Sequence, residues 1–271
     1  MATDTDRPLA VVTGASSGIG RELAREFAEH GFDLLITAED AELADAADEL
    51  RATGATVDAV TTDLADPGGV DELYARIRAA GRPVDAIALN AGRGAGGWFA
   101  GPGPDRTSLG DELEIIDLNV RSTVHLAKHV VGDMVERGQG RVLLTSSIAS
   151  TMPGSFQAVY NASKSFVQSF ALALREELKD TGVTVTSLMP GPTETEFFER
   201  ADMLDTRIGA SSSKDDPADV ARDGFEALMA GEDRVVSASL STKLQGKGSR
   251  LMPDKVKAAM HRRMAEPGSG E

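Results

Sequence analysis

The 271-residue sequence contains no cysteine. That excludes a disulfide framework and any thiol chemistry, and it fits a reducing compartment. Long apolar runs are missing as well. No stretch approaches the roughly 20 residues needed to cross a bilayer. The segment from Met1 to Pro8 is short, polar and acidic, without the charged-then-apolar pattern of a secretory signal. A soluble, cytoplasmic protein is expected. Basic residues are scarce, 28 Lys and Arg against 43 Asp and Glu, for a net charge of −15. Such a surface repels nucleic acid phosphates and anionic lipid heads, so neither nucleic acid nor membrane is expected as a partner. No metal is expected either. The scarcity reverses only in the tail. Between Ser241 and Glu266 lie Lys243, Lys247, Arg250, Lys255, Lys257, Arg262 and Arg263, against Asp254 and Glu266.

What remains is ample material for one large core, with 41% hydrophobic residues and no internal repeat. Apolar runs read as strands at Leu9–Val12, Asp33–Thr37, Val57–Val60, Val84–Leu89, Arg141–Thr145, Val183–Met189 and Arg234–Val236. Helical spacing falls between them, at Gly18–His30, Glu42–Leu50, Val70–Ile77, Leu113–Val135, Tyr160–Leu178 and Ala218–Met229. Alternation of this kind predicts an α/β fold, a doubly wound parallel sheet of Rossmann type with helices on both faces. Residues 1–240 read as a single domain and 241–271 as a basic C-terminal extension. In such sheets the ligand crevice lies beyond the carboxyl ends of the strands.

Five motifs fall at or near those ends. Thr13-Gly14-Ala15-Ser16-Ser17-Gly18-Ile19-Gly20 joins the first strand to the first helix. Its glycines permit a tight turn and close approach of a pyrophosphate to a helix N-terminus, whose free N–H groups and partial positive charge suit an anion. Tyr160 and Lys164 stand four residues apart on a helix, hence on one face. An ammonium there should draw the phenol down from its ordinary value of about 10 towards neutrality, where a general acid/base works best. Taken alone, a Y-x-x-x-K pair is better explained by an amphipathic helix surface. Ser146-Ser147 ends the fifth strand and Asn90-Ala91-Gly92 the fourth, where capping and turning are the ordinary explanations. Asn119 sits inside a long helix, a poor place for asparagine unless its side chain has work to do.

In this order the motifs resemble the short-chain dehydrogenase/reductase family, in its compact single-domain branch, from about Leu9 to Val236. Thr13 to Gly20 matches the family's T-G-x-x-x-G-x-G, Asn90 to Gly92 its N-A-G, and Pro190-Gly191 the turn after the sixth strand. Asn119, Ser147, Tyr160 and Lys164 match its catalytic tetrad. Ser147 is preferred to Ser146 because it precedes Tyr160 by thirteen residues. The resemblance implies a nicotinamide-dependent oxidoreductase that moves a hydride between its cofactor and a carbonyl or secondary alcohol. Tyr160 would be the acid/base, Lys164 the group that lowers its pKa and holds the nicotinamide ribose, and Ser147 the donor to the reacting oxygen. Asn119 would hold a water that relays protons from Lys164. Cofactor contacts are expected from Gly14, Ser16, Ser17, Gly18, Ile19, Gly20, Glu39, Asp63, Leu64, Asn90, Ala91, Gly92, Tyr160, Lys164, Pro190, Gly191, Thr193 and Thr195. The resemblance also implies a homo-oligomer, a tetramer or dimer, built on the long helices. Their Ile115, Leu118, Leu126, Val130, Phe166, Phe170 and Leu174 lie on more than one face.

Three departures bear on function. Extra glycine-rich length, with six glycines from Gly92 to Gly103, alters one wall of the substrate cleft. Glu39-Asp40 replaces the basic residue that NADP-users carry after the second strand. A carboxylate there accepts from a ribose hydroxyl but repels a phosphate, so NAD(H) is favoured and NADP(H) would need Arg21. The basic tail lies outside the family core. It is expected to dock on an acidic surface through a helix begun by Pro253, with Val256, Met260 and Met264 on one face. Residues 193–216 are expected to form a substrate lid. Its Phe197, Phe198, Met203, Leu204 and Ile208, with Trp98, Phe99 and Phe156, suggest an apolar substrate. A dehydratase or epimerase of the wider superfamily is disfavoured by the glycine spacing and modest length. A catalytically silent cofactor sensor or scaffold is disfavoured by the intact tetrad.

Overall fold

The computed structural model describes residues 7–102, 105–237 and 252–270. Seven parallel strands, β1 (Leu9–Thr13), β2 (Asp33–Ala38), β3 (Val57–Thr61), β4 (Ala86–Leu89), β5 (Gly140–Thr145), β6 (Val183–Pro190) and β7 (Arg234–Ser237), pair in the order β3-β2-β1-β4-β5-β6-β7. The connecting helices are α1 (Gly18–Glu29), α2 (Glu42–Arg51), α3 (Pro67–Ala79), α4 (Leu109–Ile116), α5 (Thr123–Arg137), α6 (Ala158–Leu178), α7 (Phe197–Arg200) and α8 (Pro217–Ala230). A terminal helix, α9, spans Asp254–Ala265.

Strands buried on both faces explain the continuous apolar runs. Successive β1 residues serve opposite layers. Ala10 and Val12 join Leu23 and Phe27 of α1, Leu43 of α2 and Phe225 of α8. Leu9 and Val11 join Leu73 of α3, Leu126 and Met134 of α5 and Val167 of α6. The expected doubly wound sheet is therefore present. No helix among the described residues is long and apolar enough to cross a membrane.

The expected long helix Leu113–Val135 begins earlier, at Leu109, where Ser108 and Asp111 cap it reciprocally. It is also not uniformly α-helical. A π-helical turn, Asp117–Ser122, separates α4 from α5 and contains Asn119. Such turns insert an extra residue and re-aim a side chain, often at functional sites. The apolar residues expected to serve assembly divide. Ile115, Leu126 and Val130 are buried in this chain's own core, Leu118, Phe170 and Leu174 pack against it, and Phe166 is exposed, as are Leu109, Leu113 and Ile116, which were not among those expected.

A third apolar cluster lies outside the two sandwich layers. Phe156, Phe198, Ala201, Met203 and Ala265 pack together, with Trp98, Phe197 and Ile208 against them. It joins the glycine-rich loop, the excursion after β6 and the tail helix α9.

The sheet order reverses between β1 and β4, and a hydroxyl binds the two strand ends there. Thr13 Oγ1 accepts from the backbone N–H groups of Asn90 at 2.9 Å and Ala91 at 3.0 Å. Asn90 Nδ2 returns a bond to Thr13 O at 3.2 Å. Replacing Thr13 by Val keeps the shape and leaves both N–H groups without their acceptor. A loss of roughly 1–3 kcal/mol is expected for such buried groups, a fall in Tm of roughly 5 °C, measured by thermal unfolding. An unchanged Tm would show that the clamp does not hold the switch point together.

Candidate active site

A cleft of about 650 Å³ runs along the carboxyl ends of the strands. Every residue expected to touch the cofactor lines it, as do Ser147, Tyr160 and Lys164, while Asn119 lies behind its wall.

One part of the cleft is shaped for an anion. Gly14 and Gly18 have φ of +66° and +53°, a region that favours glycine. A Cβ on Gly20 would stand 1.9 Å from the carbonyl oxygen of Gly14, so only glycine lets helix and turn meet. At the N-terminus of α1 the Ser17 side chain makes no cap and the first turn holds no acid. Its backbone N–H groups and partial positive charge are left for a ligand, which fits the pyrophosphate of a dinucleotide.

The end beside β2 and β3 is negative. Partial burial raises the Glu39 carboxyl above its ordinary value, reinforced by Asp63, Glu114 and Asp40 and opposed by Arg93. Ser16 Oγ donates to Asp40 Oδ2 at 2.9 Å, and Arg200 of α7 approaches the same oxygen at 3.6 Å. Asp40 Oδ1 is buried with no hydrogen-bond partner, and the residue faces the cleft. Arg21, the alternative phosphate partner, is drawn outwards to Glu49 Oε1 at 2.5 Å. Among the described residues the cations lining the cleft are Arg93, Lys164 and Arg200. Arg93 pairs with Asp111 and Glu114, and Arg200 pairs with Glu196.

At the other end α6 presents Tyr160 and Lys164 against the end of β5. Lys164 is buried, and its Nζ donates to Thr145 O at 3.0 Å. It stands 5.9 Å from the centre of the Tyr160 ring. Burial lowers the Lys164 ammonium to about 8. Burial also pushes the Tyr160 phenol up to about 12, with a hydrogen bond to Ser147 opposing it. The expected depression of the phenol by Lys164 is thus overturned for these residues by themselves. The ammonium is committed to a carbonyl rather than to the phenol, and desolvation dominates. Ser147 accepts from Ala149 N at 3.1 Å and reaches Pro190 O only at 3.5 Å, which leaves its hydroxyl proton for the Tyr160 oxygen. Ser146 is spent on Lys164 O at 2.9 Å, which separates the two serines by geometry.

Asn119 is buried, and its amide fastens two elements. Its Oδ1 accepts from Arg93 N at 2.9 Å, and its Nδ2 donates to Arg93 O and Ser163 Oγ, each at 2.9 Å. A Cβ on Gly92 would lie 3.0 Å from Asn119 Oδ1 and 3.1 Å from Lys164 Nζ. The two side chains therefore share one small space under the Asn90-Ala91-Gly92 turn.

The excursion at 193–216 closes at its base, where Glu194 N donates to Asp215 O and Asp215 N to Pro192 O. Phe197, Phe198 and Ile208 line the cleft as expected, and the Phe197 ring lies 5.1 Å from that of Tyr160. Met203, Leu204, Trp98, Phe99 and Phe156 do not. Met203 is fully buried beneath the excursion, Trp98 packs edge-on to Phe156, and Leu204 and Phe99 face solvent.

In their place the wall is completed by Met152, His261 and Met264. The last two come from α9, which docks on an aromatic surface and not the acidic one expected. Arg262 lies over Trp98 and Phe156 at 5.6 and 5.5 Å. Ile208 N donates to Met264 O at 3.1 Å, and His261 Nδ1 meets Ser155 O at 3.0 Å. Lys257 pairs within its own helix with Asp254. Val256 is exposed, and the buried residues are His261 and Ala265, so the face that docks is rotated from the one expected. Lys243, Lys247 and Arg250 lie outside the described residues. Asp40 was one residue from the expected contact. His261 carried only the signal of a histidine among the apolar positions of a short helix.

The sequence model of the family described as short chain dehydrogenase matches residues 8–203. An uncharacterized short-chain type dehydrogenase/reductase of Sinorhizobium fredii is 37% identical over 71% of this chain and 73% of its own length. A putative ketoacyl reductase of Streptomyces coelicolor is 36% identical over 72% of this chain and 74% of its own. A short-chain dehydrogenase from Sphingobium yanoikuyae, solved in complex with NADPH, superposes with a TM-score of 0.79 at 26% identity, over 90% of this chain and 93% of the other. The chain belongs to the short-chain dehydrogenase family, and it is an NAD(P)-dependent oxidoreductase acting on carbonyls or alcohols.

His261 gives α9 a dependence on pH. Burial holds its pKa below the ordinary 6.5, with the Ser155 carbonyl opposing. Between the lowered folded value and the unfolded value the unfolded chain binds more protons, so stability falls as pH drops below about 6.5. Wild type should lose more Tm between about pH 7 and about pH 5.5 than His261→Gln does. Identical losses would show that His261 does not titrate on unfolding.

Proposed function

We propose that the chain catalyses reversible hydride transfer between NAD(H) and a largely apolar ketone, aldehyde or secondary alcohol, with Tyr160 as acid/base. One observation carries this reading. Tyr160, Ser147 and Lys164 face the same cleft as a glycine-bounded, uncapped helix N-terminus. A silent sensor would need only the second feature.

The bound nicotinamide supplies or accepts the hydride. The chain's own groups handle the proton and the charge. Tyr160, held protonated by burial, is the donor to the carbonyl oxygen in reduction, and in oxidation it is the phenolate left by loss of that proton that accepts the hydroxyl proton. Ser147 donates to the same oxygen and stabilises the charge that develops there. Lys164 carries its charge below about pH 8. It contributes a positive potential beside the phenol and a donor towards the nicotinamide ribose. Asn119 positions the Arg93 backbone and the space next to Lys164, through which a water carries the proton outwards. Phe197, Phe198, Ile208, Met152 and Met264 exclude water over the reacting atoms and suit an apolar substrate body. We assign 1–240 to the catalytic domain and treat α9 of the 241–271 extension as part of its lid, because it contributes two residues to the wall. The cysteine-free, acidic chain suits the cytoplasm.

NAD(H) is favoured by charge. Asp40 Oδ1 lacks a partner and suits a ribose hydroxyl, and it, rather than the more exposed Glu39, is the better acceptor. A 2′-phosphate would meet Glu39, Asp40 and Asp63 with Arg21 turned away. Like charges about 4 Å apart cost on the order of 1 kcal/mol in water and more in a cleft. The Sphingobium neighbour is solved with NADPH, and the reading for this chain rests on its own carboxylates. The exposed apolar residues Leu109, Leu113 and Ile116 on α4 and Phe166 on α6 are read as the face that a second copy covers, in a dimer or tetramer. Sedimentation at micromolar concentration checks this, and a monomer alone would refute it.

Tyr160→Phe should fold and bind cofactor while losing roughly 10²–10⁴-fold in turnover, followed by absorbance of the reduced cofactor with a panel of ketones and aldehydes. Retention of a tenth of the wild-type rate would overturn the mechanism. Wild type should show a catalytic efficiency at least about tenfold higher with NADH than with NADPH, and Glu39→Arg should narrow that ratio. A tenfold preference of wild type for NADPH would overturn the cofactor assignment and leave the mechanism standing.

A further inference from the structure

His125 and His129 stand one helical turn apart on α5, the spacing that puts two side chains on one face. Asp71 faces them from α3. His125 Nε2 lies 3.1 Å from Asp71 Oδ1, and one ligand atom from each of the three residues falls within 4.8 Å of the others. The His129 ring is stacked on Tyr74, with centroids 4.4 Å apart and planes at 17°. Tyr74 is itself held by a hydrogen bond from its hydroxyl to Asp133 Oδ2 at 3.0 Å. The His125 and His129 ring centres are 5.3 Å apart. Beneath them the two helices are locked together through Val70 and Leu73 on one side and Leu126 and Val130 on the other. The backbone that carries the three side chains is therefore rigid. None of the three lines the cleft.

We propose that Asp71, His125 and His129 form a binding site for a divalent transition-metal ion, zinc(II) in the first place. Two imidazoles and one carboxylate are a ligand set that zinc accepts, with water completing the tetrahedron. Magnesium and calcium are poorly served, since they take their ligands from several oxygens. At bonds of about 2.0–2.1 Å a zinc tetrahedron has ligand atoms about 3.3 Å apart. The edge from His125 to Asp71 already has nearly that length. The edge from Asp71 to His129 closes by rotation of the exposed Asp71 carboxylate about its own torsions, and the edge between the two imidazoles closes by rotation of the His125 side chain. His129 has less freedom, and its stacking on Tyr74 presets the ring, as a supporting shell does in metal sites. An ion held here ties α3 to α5 across the surface of the sheet layer. It is a clamp on the fold, separate from the hydride-transfer cleft.

The test uses the full chain, stripped with a chelator and returned to zinc chloride or cobalt(II) chloride. One zinc should bind per chain and raise Tm by roughly 5 °C at a hundredfold excess over Kd, and the chelator should reverse the rise. Cobalt(II) should give the intense visible absorption of a four-coordinate site. Magnesium should leave Tm unchanged. His125→Gln and His129→Gln, singly and together, should abolish the cobalt spectrum and the zinc shift while leaving turnover unchanged. The proposal is overturned if wild type shows no zinc shift, if cobalt(II) gives only the weak absorption of a six-coordinate ion, or if binding survives in the double variant. If a variant fails to fold, the wild-type cobalt spectrum and its loss to chelator decide the matter alone.

Discussion

A short chain of polar contacts at the point where the sheet reverses holds the site to the fold. Thr13 Oγ1 receives the Asn90 and Ala91 N–H groups, Thr145 Oγ1 donates to Asn90 Oδ1 at 3.0 Å, and Lys164 Nζ donates to Thr145 O. One link follows another from β1 to β4, from β4 to β5 and from β5 to α6. Helices on opposite sides of a reversal diverge, and a crevice opens between them. The same contacts that close the backbone at this point set the height of Lys164 in the crevice. A buried ammonium needs acceptors, because its desolvation is otherwise uncompensated. Thr145 O supplies one from the sheet itself, so the position of Lys164 is a property of β5 and not of a mobile loop.

The electrostatic character of the cleft changes from end to end for reasons that are local in the sequence. Near α1 the partial charge is positive because no side chain caps the helix and no acid occupies its first turn. Beside β2 it is negative because Glu39, Asp40 and Asp63 meet there. At the chemical end the medium is apolar enough to move two groups in opposite directions, the phenol up to about 12 and the ammonium down to about 8. Both shifts have burial as the leading cause, and both favour neutral forms. The chain alone therefore stores Tyr160 as an acid. Its use as a base requires further positive potential next to the phenol, which the committed Lys164 does not by itself provide.

Much of this was legible before any coordinates. Strands buried on both faces advertise themselves as apolar runs, and glycines forced by a positive φ or by backbone contact, such as Gly14, Gly18 and Gly20, are visible as a spaced motif. Asn119 was visible as a residue out of place in a helix, although the π-helical turn that accommodates it was not. A π turn leaves no residue pattern of its own, and it is recognised only from which carbonyl each N–H meets. Trp98, Phe99 and Phe156 were misread for a related reason. Trp98, Phe99, Phe156, Phe197 and Phe198 are equally apolar in sequence. Only the packing distinguishes Phe197, laid across Tyr160, from Phe156, which is turned down into a cluster at φ +66°.

The tail shows why charge composition misleads where packing decides. Seven basic residues against two acidic ones suggested attraction to the acidic body. Yet surface ion pairs are worth little, and Lys257 settles for a partner within its own helix. An arginine, by contrast, can lay its planar head on aromatic faces and bury its stem. Arg262 lays its head on Trp98 and Phe156 while its side chain stays half exposed. Once that contact anchors α9, the opposite requirement falls on the residues facing the cleft. They must be small or apolar, or must satisfy their polar atoms on the spot. Met264 is apolar, and His261 Nδ1 meets the Ser155 carbonyl. The helix therefore docks through its arginine and encloses through its uncharged face.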